Sequence, residues 1–100
     1  MPFKRVRLSE EELQAIKTAV KSFDKEARIF IFGSRANPNL KGGDIDILVI
    51  SDNIDWMKRR KIRVELLKKL GDRKIDLLVA NRENLQDPFV KLAMEEGVEI

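Results

Sequence analysis

Cysteine, histidine and tyrosine are all absent from the sequence. Without cysteine there is no disulfide framework, no thiolate nucleophile and no thiolate metal site. Without histidine, serine–histidine and cysteine–histidine catalysis are excluded, together with the commonest zinc ligand. A metal bound by this chain is therefore expected to be a hard ion held by the oxygens of Asp or Glu. Long apolar runs are missing too. No stretch approaches a membrane span, and the N-terminal MPFKRVRLSEEEL has no apolar h-region, so the expectation is a cytoplasmic protein without membrane attachment.

What remains is a mixture of 43% hydrophobic and 37% charged residues, the composition of a globular protein rather than a disordered one. One domain over residues 1–100 is expected, large enough for a real core and with little surplus for a second. The net charge of +3, from 20 basic and 17 acidic residues, suits an anionic substrate without establishing nucleic-acid binding.

There is no linker, internal repeat or low-complexity segment. Ser9 followed by Glu12 reads as a capping box opening a helix over about 10–23, with Leu13, Ile16 and Val20 on its buried face. RIFIF, 28–32, reads as a strand ending at Gly33. A short helix is expected from Ser34, stopping before Pro38, followed by loop through NPNLKGG. DIDILVI is the second strand, and the helix after it carries Ile62, Leu66 and Leu70 on one face, with Gly71 as its stop. KIDLLVA, 74–80, is a third strand. Asp87 and Pro88 then cap a helix running to about Glu96, and the closing GVEI either adds a short strand or frays. The predicted order, α-β-α-β-α-β-α, describes an α/β fold: a small mixed sheet with helices packed on it.

The chemistry is concentrated in the aspartates. Strand side chains alternate faces, so Asp44 and Asp46 point one way while Ile45, Ile47 and Val49 point the other. Two such carboxylates, about 7 Å apart along the chain, repel one another unless a cation joins them. Asp76 adds a third carboxylate in a similar apolar context on another strand. Three aspartates from two strands suffice to hold two Mg²⁺ ions of the kind that serve phosphoryl transfer. At the end of the preceding strand, Gly33 would let the backbone approach a phosphate closely, Ser34 would open a helix with free N-terminal amides, and Arg35 would reach a triphosphate.

Gly33-Ser34, then Asp44-Ile45-Asp46 within GGDIDILVI, then Asp76 within KIDLLV, resembles the nucleotidyltransferase pattern of the DNA polymerase beta superfamily over roughly residues 28–80. The GSRA wording and short length resemble the minimal nucleotidyltransferases. The resemblance implies a palm-like fold, with Asp44, Asp46 and Asp76 as catalytic metal ligands. It implies Gly33, Ser34 and Arg35 as the nucleotide-binding turn, Mg²⁺ as cofactor, and ATP as substrate. Many such enzymes act as antitoxins beside HEPN-domain toxins, transferring AMP to a tyrosine of the toxin, so a HEPN-domain partner is implied as well. The Asn-Pro-Asn-Leu-Lys-Gly-Gly spacer departs from the Arg-Gly run common in relatives and leaves open which basic residue meets the nucleotide.

Each feature also has a plainer reading. Asp-x-Asp is commonly a turn or strand-edge pair, Gly-Ser ends many strands, and Asp76 alone could pair with Lys74 or Arg73. Their order and shared apolar context favour the site. The basic stretch KRRKIRVELLKK reads as a solvated helix face; no aromatic residues interleave with it, so nucleic-acid binding is not supported. Trp56 is expected to pack at the start of that helix, and Phe30 and Phe32 to lie in the core. A catalytically weak subunit that tethers or neutralises a partner is the alternative function, and homo-oligomerisation is left open. With no acceptor domain expected in so short a chain, a partner protein is the better acceptor.

Overall fold

Three helices cap themselves with side chains that the sequence places at their ends. The structure, a computed structural model, describes residues 8–32, 45–71 and 74–100. Helix α1 (Glu10–Lys21) starts at Ser9, whose hydroxyl accepts from the Glu12 amide at 3.1 Å while the Glu12 carboxylate accepts from the Ser9 amide at 2.8 Å. Two of the four orphan amides of the first turn are answered in this way. Strand β1 (Arg28–Phe32) and strand β2 (Ile45–Ile50) follow. Helix α2 (Trp56–Leu70) is capped by Asp55, which accepts from the Lys58 amide, and it ends at Gly71 with φ 79°, a conformation that favours glycine. Strand β3 (Ile75–Ala80) leads to a 3-10 turn (Arg82–Gln86), helix α3 (Pro88–Glu96) and strand β4 (Val98–Glu99).

The four strands form one mixed sheet in the order β3-β2-β1-β4. β1 is antiparallel to both β2 and β4, and β2 is parallel to β3, with α2 making the crossover that a parallel pair needs. Alternation then sorts the side chains into two cores. Ile29, Ile31, Ile45, Ile47, Val49, Ile75 and Leu77 face one way, against Leu13, Ile16 and Val20 of α1 and Ile62, Leu66 and Leu70 of α2. Phe30, Leu48, Ile50 and Ala80 face the other way, against Val90 and Ala93 of α3. Fully burying each large aliphatic side chain contributes about 1.5–3 kcal/mol, so the two-helix face is the main source of stability.

The expected helix and strand positions agree with the structure to within a residue or two, and the closing segment forms a strand rather than fraying. The first helix stops at Lys21, short of residue 23. The 3-10 turn was not expected; Asn81 and Asn84 cap it reciprocally. Trp56 is a correction. It stands at the start of α2 as expected but is 68% exposed and does not pack there, because the buried stripe of the helix begins at Ile62. The short helix expected from Ser34 and the loop through NPNLKGG lie outside the described residues.

At the C-terminal end of β2, the buried Ser51 ties the sheet to the turn after α1. Its hydroxyl donates to the Asp24 carboxylate and accepts from the Asn53 amide at 3.0 Å. That hydrogen bond, helped by the Glu26 amide, Asn53 and Arg82 and opposed by burial, holds the Asp24 carboxyl below its ordinary value. Ser51→Ala should cost about 2 kcal/mol near neutral pH, since it removes a donor to a charged acceptor. Because the folded pKa is depressed, this stabilisation is present above the ordinary carboxylate range and is lost as pH falls through the lowered value. Urea unfolding at about pH 7 and about pH 2 checks it: the gap between the two proteins should close at the acid end.

Candidate active site

The alternation that sends Ile45, Ile47 and Val49 into the two-helix core sends Asp46 to the opposite face, with Leu48 and Ile50. Asp46 is the register partner of Asp76 on β3 and of Phe32 on β1. Directly opposed residues share a face of the sheet, so Phe32, Asp46 and Asp76 form one row across three strands. With neighbouring strands about 4.8 Å apart, the two carboxylates stand side by side.

Their surroundings differ. β2 is an inner strand and Asp46 is half-buried, whereas β3 is the edge of the sheet and Asp76 is exposed. Helix α3 lies over the β1 side of this face. Its Gly97 cap comes so close to β1 that an added Cβ would meet the Ile31 carbonyl oxygen at 2.9 Å. Phe89 of α3 meets Phe32 edge to face at 6.1 Å, and Phe32, Phe89, Leu92, Ala93 and Glu96 line a small pocket. An apolar ledge thus borders the acid pair on one side.

Of the residues singled out from the sequence, the structure brings Asp46 and Asp76 together. Gly33, Ser34, Arg35 and Asp44 lie outside the described residues; in the chain, Gly33 directly follows Phe32 and Asp44 directly precedes Ile45. Among the described residues, no group of three or more His, Cys, Asp or Glu side chains gathers as a metal site. The described part of the site contributes two carboxylates. Oxygen-only donors of this kind suit a hard divalent cation such as Mg²⁺ and do not suit a soft one.

The Phe32–Phe89 ledge was not foreseen as part of this site. Phe32 was expected in the core, and it is only half-buried because the covering helix is short. The signal available in the sequence was the apolar positions of 88–96, where Phe89 and Leu92 fall off the stripe of Val90 and Ala93.

The sequence model of the nucleotidyltransferase domain matches residues 13–100, which takes in every described strand and both carboxylates. No curated protein matches the chain.

Asp76 is exposed and faces a second carboxylate, so Asp76→Asn should leave metal-free stability within about 0.5 kcal/mol of the parent, or raise it slightly. Thermal melts in the presence of a chelator check this. A loss of several kcal/mol would give Asp76 a structural role instead.

Proposed function

Because the chain belongs to the nucleotidyltransferase domain family, we propose that it transfers AMP from ATP, with Mg²⁺, to a hydroxyl group on a partner protein. The observation that carries this reading is the pairing of Asp46 with Asp76 across the parallel strands β2 and β3. Two acids at opposed positions on neighbouring strands, one of them open to solvent, can share a hard cation at the rim of the sheet.

In this reading Asp46 and Asp76, with Asp44, hold the metal, and Gly33, Ser34 and Arg35 hold the triphosphate. A divalent cation there would offset the negative charge of the triphosphate and of the departing pyrophosphate. The acceptor oxygen forms a bond to the α-phosphorus, and the bond from that phosphorus to the β-phosphate oxygen breaks, releasing pyrophosphate. The Asp76 carboxylate, exposed on the edge strand, takes the acceptor's proton. The 100 residues contain no tyrosine, so a tyrosyl hydroxyl must come from outside them. The reading extends to a HEPN-domain toxin as the acceptor and to an antitoxin role for this chain.

The test is incubation with Mg²⁺, labelled ATP and a HEPN-domain protein encoded beside it. Label should appear on that protein and not on this chain, and Asp46→Asn and Asp76→Asn should each lower the rate by at least about a hundredfold. Label confined to serines of this chain, near-normal rates in either variant, or no transfer at all would overturn the proposal.

A further inference from the structure

The outer face of α2 carries a surface that neither the fold nor the acid pair uses. Six large apolar side chains are exposed among the described residues, and four of them, Trp56, Met57, Val64 and Leu67, lie on this one helix. They fall away from the buried stripe of Ile62, Leu66 and Leu70. Trp56, Met57 and Val64, with Phe23 from the turn after α1, line a groove of about 500 Å³ together with Arg60, Lys61 and Glu65.

The charge around the groove is mostly basic. Glu65 is the only acid on α2, and it lies 3.8 Å from Lys68. Lys58 and Arg59 donate to backbone carbonyls of Asn53 and Leu77. Arg60 and Lys61 have no hydrogen-bond or ion-pair partner among the described residues.

We propose that this face docks an amphipathic helix of a partner protein, with its apolar stripe in the Phe23–Trp56–Met57–Val64 groove and its acidic flank against Arg60 and Lys61. The groove presents anchors along about two helical turns, the arrangement that receives a helix. Trp, Met and Arg are the residue types enriched at the centres of protein interfaces. Charge selects the occupant. A second copy docked through the same face about a two-fold axis would bring two mostly basic faces together. A nucleic-acid backbone would meet the cations but leave the Phe23, Met57 and Val64 floor exposed to water. The sheet lies between α2 and the row of Asp46 and Asp76, so a partner held here does not cover the acids. This surface stands independently of the reading of those acids.

Trp56 is the only tryptophan in the chain, so its fluorescence reports on the groove directly. The intact protein is titrated with a synthetic amphipathic helix carrying leucines on one face and glutamates on both flanks, and with the same peptide flanked by lysines. Trp56 should emit as a solvent-exposed indole in the free protein and shift to the blue with the glutamate peptide. The lysine peptide should bind at least about tenfold more weakly, and Arg60→Glu with Lys61→Glu should lower affinity for the glutamate peptide by a similar factor. Both substitutions are on the solvent face, and retained circular dichroism confirms that the variant is folded. Equal binding of the two peptides would overturn the proposal, as would preferential binding of single-stranded RNA. So would concentration-dependent self-association that buries Trp56, or an emission already blue in the free protein.

Discussion

Asp46 and Asp76 meet because β2 and β3 run parallel in one unbroken register, from Ile45 opposite Ile75 to Ile50 opposite Ala80. That register is fixed by burial. A slip of one residue in β3 would turn Ile75 and Leu77 out of the two-helix core and drive Asp76 into it. An uncompensated carboxylate at that depth costs several kcal/mol, far more than any local rearrangement returns. The apolar alternation that builds the core therefore also aligns the acids, and neither can move without the other.

The two faces of the sheet divide the work. The face under α1 and α2 is closed by two full-length helices and holds the larger core. The opposite face is covered by α3, a nine-residue helix anchored against β1 through the close approach of Gly97. Among the described residues that cover is short and lies over β1 and β2, and Phe32 and Phe89 form an apolar border beside Asp46. Ion pairs add little to this arrangement. The bidentate Arg28–Glu99 contact across β1 and β4 is half-exposed, a setting in which such pairs contribute at most about 1 kcal/mol.

Most of the architecture was legible because it depends on local rules. Ser9 with Glu12, Asp87 with Pro88, and Gly71 mark helix ends through hydrogen bonds and backbone freedom that are written in neighbouring residues. The stripe Ile62, Leu66, Leu70 identifies a buried face by spacing alone. Asp46 and Asp76 were expected to share a metal site, but their directly opposed positions were not legible, since register between strands 30 residues apart is set by the tertiary fold. Trp56 was misjudged for a related reason. Its size suggested burial, but the phase of α2 against the sheet is set by Ile62 and Leu66, and this leaves Trp56 outside. The tie between Ser51 and Asp24 joins residues 27 positions apart and had no local signature.

The proposed role of the Asp46–Asp76 pair as a divalent-cation site, rather than a pair of surface acids, can be measured directly. Mn²⁺ is a paramagnetic stand-in for Mg²⁺, and its binding can be followed by electron paramagnetic resonance without any acceptor present. The parent protein, with a non-hydrolysable ATP analogue, should bind Mn²⁺, and Asp46→Asn or Asp76→Asn should weaken that binding at least about tenfold. Asp52→Asn, which changes a carboxylate held by Arg82 at the other end of β2, should leave it unchanged. Equal Mn²⁺ binding in the parent and in both site variants would mean that the two acids do not hold the metal.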